Sequence, residues 1–381
     1  HGDRLFAVAG GYTRQHDSQD RPGAIYRFYE EQWINDAFSG YTDFVDLLID
    51  DADEPALWVG SWGDGLLKTE GETITRQYDQ NNSPQSAYSP DQVRVEELCN
   101  DQAGNLWLTN FGAEDPVKML GSDGNWSEPQ YGPLKNRTLK GLTFTDQGWY
   151  WGYIYDTPLV FVIDPQGTPA DPGDDRVMVR EVLDFNGQSF ADRITGMKED
   201  LEGQIWITTD EGVAVDYDPS AFFERDDYRP NRIRLTIEGY TQYVLRDNQV
   251  TGIAVDPANR KWFATRRTGL YVFSEDAQQL EAHYTAENSP LLSDTIRSIA
   301  VTDRGEVFMA TARGICSYRS QTSKAREHFT DAYVFPNPVS PGYDGMITIT
   351  NLVEDVNVKI TDVAGNIVYE TVARGGQATW D

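Results

Sequence analysis

Six aromatic-centred strands at nearly even spacing, stretches of period-two alternation around each, and a change of pattern near residue 320 predict an all-β chain. The expected architecture is a seven-bladed β-propeller over residues 1–320 whose first blade lacks its inner strand. A linker at 321–331 and an incomplete immunoglobulin-like β-sandwich at 332–381 should follow. The clearest copies of the repeat read Asp101-Gln-Ala-Gly104-Asn-Leu-Trp107-Leu-Thr, Asp200-Leu-Glu-Gly203-Gln-Ile-Trp206-Ile-Thr and Asp256-Pro-Ala-Asn259-Arg-Lys-Trp262-Phe-Ala. Looser copies centre on Trp58, on Trp151 after Asp146 and Gly148, and on Phe308 after Asp303 and Gly305. The intervals run from 44 to 56 residues, the size of one four-stranded blade.

The strands can be taken in order. Blade one offers Leu5 to Ala9, Ala24 to Phe28 and Gln32 to Ile34, which read as its outer three strands, and residues upstream of His1 are expected to complete the ring. Blade two runs through Val45–Ile49, Leu57–Gly60, Gly65–Lys68 and Thr73–Tyr78. Blade six repeats it with Val250–Val255, Lys261–Ala264, Gly269–Phe273 and Leu280–Tyr284, and both blades exit through Asn-Ser-Pro at the same offset. Blade seven supplies Thr295–Val301, Val307–Thr311 and Gly314–Tyr318, its fourth strand being unassigned. Within each repeat Asp bonds local amides in a tight hairpin and Gly accepts the positive φ the turn requires. The aromatic should then point into the packing between blades. Calcium is the rival reading of so many aspartates, but it needs six or more converging oxygens, which single turn residues do not supply.

Composition narrows the classes. A hydrophobic fraction of 39% with 12% aromatic residues suits a packed β protein. The net charge of −29 opposes a phosphate backbone, so nucleic acid is not an expected partner. No run approaches the roughly 20 apolar residues of a membrane-spanning helix. Two cysteines, Cys99 and Cys316, read as small buried hydrophobes rather than a disulfide framework. The histidines His1, His16, His283 and His328 show no metal-pair spacing, and P-loop, nucleophile-elbow and C-x-x-C motifs are missing. Paired carboxylates such as Asp50-Asp51 with Asp53-Glu54 are expected by coincidence among 61 acids. Neither a catalytic residue, a metal nor a cofactor is therefore expected.

Beyond the polar stretch 319–328 come Pro336-Asn-Pro338 and Val358-Lys-Ile-Thr-Asp362-Val-Ala-Gly365-Asn-Ile-Val368. The D-x-x-G-x-x-W repeats resemble the two-component-regulator propeller repeats of periplasmic sensors in Bacteroidetes. The tail resembles the C-terminal sorting domain of type IX secretion cargo. Together they resemble the cell-surface family of the type IX attachment complex that delivers anionic lipopolysaccharide to the sortase. In that family two propellers precede the tail, so the resemblance implies a second propeller plus most of the C-terminal domain. It also implies a non-enzymatic, exported protein, peripheral to the outer membrane, with other attachment-complex proteins as partners. A periplasmic sensor of a hybrid two-component system and a propeller lyase are the alternatives. The matching motifs are scaffold motifs and identify no binding residue.

Candidate ligand residues come from register instead. The turn after each aromatic strand should fall on one face, and loops on one rim of a propeller commonly bind ligands. Blades six, seven and one then place Arg266, Arg267, Arg313 and Arg14 on one sector, and blades two to four bring Trp62, Phe111 and Tyr155 to the next. Arginines beside exposed rings suit an anionic saccharide, the guanidinium groups gripping oxyanions and the rings stacking on sugar faces. The alternative is that each Arg merely pairs with a neighbouring acid, an interaction worth under about 1 kcal/mol.

Overall fold

The computed structural model describes residues 5–13, 15–30, 32–50, 56–168, 171–237, 240–329 and 331–380. Arg14, His1 and the acids Asp51, Asp53 and Glu54 lie outside the described residues. Among the described residues there is no α-helix, only two single 3₁₀ turns at Gly132–Leu134 and Pro219–Ala221. No helix is long and apolar enough to cross a membrane.

Residues 5–319 form successive antiparallel meanders of three or four strands, numbered here as blades one to seven. Blades two (Phe44–Tyr78), three (Val95–Ser127), four (Leu139–Glu181) and six (Val250–Tyr284) have four strands each. Blades one (Leu5–Thr42), five (Ile194–Asp216) and seven (Ile296–Arg319) have three. Blade five is followed by a two-stranded hairpin, Arg234–Ile237 with Tyr240–Tyr243. In blade one no inner strand precedes Leu5–Val8 among the described residues, and Phe6 and Val8 pack directly on Phe44, Leu57 and Val59 of blade two. Phe28 of blade one and Phe308 of blade seven meet at 5.5 Å, so the first and last sheets are neighbours.

The core is a set of clusters, each shared by two adjacent blades. Trp107 and Met119 of blade three pack with Tyr150 and Phe161 of blade four. Trp151 and Val162 of blade four pack with Ile205 and Ile207 of blade five, and Trp206 and Val215 of blade five with Ile253 and Phe263 of blade six. Fully burying such a side chain stabilises the fold by about 1.5–3 kcal/mol, and because blades two to six each contribute to two clusters none of them is self-sufficient.

The repeat aspartates do more than shape a turn. One oxygen of Asp101, Asp200 and Asp256 accepts amide N–H groups from the hairpin, including Ala103 at 2.9 Å, Glu202 at 3.0 Å and Ala258 at 3.0 Å. The other accepts the indole N–H six residues on, Trp107 at 3.0 Å, Trp206 at 2.8 Å and Trp262 at 2.9 Å. Two of these carboxylates also reach the next blade, where the Tyr150 hydroxyl donates to Asp101 at 3.0 Å and the fully buried Lys261 ammonium pairs with Asp200 at 3.0 Å. The hairpin glycines Gly104 and Gly203 sit at φ of 77° and 76°, and Asn259 takes the same left-handed place at 55°.

The looser repeats around Trp151 and Phe308 put no carboxylate at this register. Six residues before Trp151 stands Thr145, not Asp146, and the Trp151 indole N–H is buried without a partner. Six residues before Phe308 stands Thr302, whose hydroxyl only closes its own hairpin with Glu306. Phenylalanine has no N–H to satisfy, so the carboxylate is dispensable there.

The C-terminal residues make a three-stranded sheet (Tyr333–Phe335, Ile347–Thr350, Gln377–Trp380) and a hairpin (Asn357–Thr361, Ile367–Val372) around Leu352, Ala373 and Ala378. Residues 320–326 fasten this unit to blade seven. Ser320 N–H donates to Gly305 at 2.9 Å, Lys324 N–H to Asp303 at 2.7 Å, and Thr322 is fully buried. Further on, Arg326 N–H donates to Leu352 at 2.8 Å.

Replacing Asp200 with Ala leaves the indole of Trp206 and the ammonium of Lys261 buried without their shared acceptor. Urea unfolding should show a loss of about 3–5 kcal/mol, the scale for a broken buried ion pair. A loss under about 1 kcal/mol would mean the carboxylate only shapes the turn.

Candidate rim site

One backbone hydrogen bond sets the rim. In blade after blade, the residue that opens the turn following the second strand donates its N–H to the residue just before the inner strand. These pairs are Phe111 to Arg94 at 2.9 Å, Tyr155 to Thr138 at 2.9 Å, Arg266 to Gln249 at 3.0 Å and Ala312 to Thr295 at 2.9 Å. The candidate turns therefore share a face. What they hold there differs by sector.

On blades two to four the rings converge. Trp62 lies flat against Tyr12 at 3.9 Å, and the His16 ring stands 4.7 Å from Phe111 and 4.7 Å from Tyr155. The blade-one loop carrying Tyr12 and His16 thus reaches across three blades, and the Trp62 indole N–H donates to the His16 carbonyl at 3.1 Å. The expectation that Trp62 is an exposed platform does not hold, because Tyr12 and the loop cover it completely. Phe111 and Tyr155 are half-buried. Sequence reading missed Arg94, whose buried guanidinium lies 3.8 Å from the Tyr88 ring, 5.0 Å from Trp62 and 5.5 Å from Phe111. The only local signal was an Arg next to an inner strand, which does not say what it stacks on.

Beneath the rings sits a charged knot. Lys140 pairs with Glu96, the Tyr12 hydroxyl donates to Glu96, and the ammonium also contacts that hydroxyl. Asp46 on the inner strand of blade two accepts the Leu98 N–H of blade three at 2.8 Å. Burial pushes the Glu96 carboxyl up to about 7, Lys140 opposing and Glu97 adding to the shift. Burial likewise raises Asp46 to about 8, with Glu97 beside it, and raises Glu97 itself. His16 is held below its usual value by burial and by the cations Lys140 and Arg94.

The arginine sector is open. Arg266, Arg267 and Arg313 are exposed, and among the described residues none of them makes an ion pair or stacks on a ring. Arg266 only touches the Gln249 side chain, at 3.3 Å. Pairing with neighbouring acids is therefore not what these three do. They share the face with the ring cluster but do not touch it, and Arg14 lies outside the described residues.

A propeller built of Asp-turn-Trp blades, with a small β unit docked on its last blade, is the class that fold and rim define. No protein-family model matches the chain, and no curated protein does. Among solved structures the chain is similar to PorZ, a surface component of the type IX secretion system of Porphyromonas gingivalis, at 27% identity and a TM-score of 0.80. That likeness covers 100% of this chain and 54% of PorZ, so the chain spans about half the length of that protein. The extracellular domain of a hybrid two-component system from B. thetaiotaomicron shares the fold at 14% identity and a TM-score of 0.55, over 98% of this chain and 48% of that one. A designed protein, Ika8, does so at 12% identity and a TM-score of 0.51, over 83% of this chain and 82% of its own.

The carboxyls below the rings give a pH signature. Their folded values lie above the unfolded ones, so the folded state holds extra protons between the ordinary glutamate value of 4.5 and about 7 for Glu96. Stability should fall as pH rises through that window. Denaturant titrations of Glu96→Gln should show a shallower fall than wild type; an equal slope would place the titrating groups elsewhere.

Proposed function

We propose that this chain is part of a non-enzymatic cell-surface component of a type IX secretion attachment complex, exported through the periplasm and peripheral to the outer membrane. The observation that carries the reading is the likeness to PorZ over the entire chain, propeller and C-terminal unit together. In this reading residues 1–320 are the propeller nearer the C-terminus, 321–331 connect it, and 332–381 are the sorting-type domain. The propeller binds anionic lipopolysaccharide and presents it to the sortase, and the protein is needed for export and anchoring of cargo. Arg14, Arg266, Arg267 and Arg313 take the anionic groups on the rim. Phe111 and Tyr155 line the adjoining sector, and Trp62 supports it from beneath Tyr12.

Three features support the ligand. Arg266, Arg267 and Arg313 carry no acid partners among the described residues although the chain has a net charge of −29. Guanidinium groups bind phosphate and carboxylate in a bidentate way that a solvated ammonium does not. An acidic body also repels stray polyanions, so binding is confined to the sector where cations are left free.

Purified anionic lipopolysaccharide immobilised on beads should retain the wild-type chain and retain Arg266→Glu/Arg267→Glu about tenfold less, the effect of roughly 1.4 kcal/mol. Equal retention of the two proteins sinks the rim assignment. Lack of wild-type retention sinks the ligand.

A further inference from the structure

Three further arginines without an ion pair among the described residues lie on a part of the molecule that the repeat pattern does not describe. After the third strand of blade five, the chain runs through Arg232 into the hairpin Arg234–Ile237 and Tyr240–Tyr243, and on to Arg246. Arg234 and Tyr243 face each other across this hairpin in register. Both Arg232, at 4.1 Å, and Arg234, at 5.1 Å, lie within reach of the single Tyr243 ring. Arg234 also donates to the Tyr243 hydroxyl at 3.0 Å. Arg232 stacks at 4.5 Å on Phe190, and Arg234 stands 6.0 Å from Phe185.

Phe185 is 67% exposed, an unusual place for a large ring. It is held there by structure. Asp184 accepts the N–H groups of Asn186 at 2.8 Å and Gln188 at 3.0 Å, which fixes the turn, and Arg229 donates to the Phe185 carbonyl at 3.2 Å. The carboxylates near Arg232 are Glu211 and Asp184. Neither pairs with it: Arg232 donates to the Glu211 main-chain carbonyl at 3.1 Å, and its buried Nε has no partner.

The group is continuous with the rim. Asn248 and Gln249, just past Arg246, contact Thr268 at 2.6 Å and Arg266 at 3.3 Å. Arg232, Arg234, Arg246, Arg266, Arg267 and Arg313 thus occupy one arc from blade five to blade seven, and among the described residues none is in an ion pair.

We infer that the blade-five hairpin is a binding platform for an anionic polysaccharide, with Phe185 and Tyr243 taking the apolar faces of sugar rings. Arg234 and Arg246 take carboxylate or phosphate groups along the chain, and the rim arginines continue the track. The reasoning is chemical. Rings interleaved with guanidinium groups match a ligand that alternates flat apolar faces with oxyanions. An arc of separate cations matches a chain of charges rather than a single ion. The inference rests on the anionic-saccharide reading above but places the main contact on residues outside the repeat turns.

Polygalacturonate is a suitable probe, with neutral dextran and poly-L-glutamate as comparisons, each tested against the 381-residue chain by biolayer interferometry. Wild type should bind polygalacturonate, and Phe185→Ser/Arg234→Gln should bind it about tenfold more weakly with an unchanged melting temperature. Arg246→Gln, an exposed position, should weaken binding with the fold equally intact. Unchanged affinity in both variants overturns the platform. Equal wild-type affinity for poly-L-glutamate overturns the saccharide assignment in favour of an acidic peptide. Polygalacturonate binding that depends on the hairpin, without retention on lipopolysaccharide beads, leaves this site standing while the proposed natural ligand falls. Loss of lipopolysaccharide retention in the Arg266/Arg267 variant alone, with the hairpin variants unaffected, does the reverse.

Discussion

In blades three, five and six, the buried hydrogen bond between a turn aspartate and the indole six residues later is the interaction that ties hairpin, aromatic strand and neighbouring blade together. It joins three scales in one carboxylate: the hairpin amides, the tryptophan that fills the space between blades, and in two cases a polar group of the following blade. An ionised carboxylate is expensive to bury unless its lone pairs are filled, and here each is. The residue four positions after the aromatic is clamped to the chain just before the inner strand, in blades with this pin and equally in those centred on Trp151 and Phe308. The same rim is thereby generated in successive blades.

A rim made by repetition is then diversified by what each blade places on it. On one side, the blade-one loop lays Tyr12 and His16 over Trp62, Phe111 and Tyr155, with Arg94 and Lys140 tied into rings and acids. On the other, Arg246, Arg266, Arg267 and Arg313 make no ion pair among the described residues. The contrast is electrostatic: Lys140 is neutralised by Glu96, while those four arginines keep their full field. An acidic molecule with one such arc has a direction of approach for an anionic ligand.

Much of this could be read along the chain, and the limits fall at identifiable residues. The alternation of Val250–Val255 and the turn at Asp256–Asn259 are local, and the structure has both where the pattern puts them. Around Trp151 the hairpin closes on Thr145 rather than on the adjacent Asp146, and the indole N–H is left without a carboxylate. Trp62 looked exposed because nothing near it in sequence covers it; its partner His16 is 46 residues away. The blade-five hairpin has a signal in the alternation Arg232-Ile-Arg234, which puts two cations on one side of the chain entering the strand.

The sequence by itself determined the class of protein: period-two strands, Asp-Gly hairpins and an aromatic at fixed register are short-range chemistry, and repeating them can only build stacked β meanders. It also set the charge balance that any ligand must meet. Only the tertiary structure decided which arginines are free, which ring is hidden and where Phe185 points. Those outcomes depend on side chains brought together from distant blades, and pairing or burial is a property of the neighbour rather than of the residue.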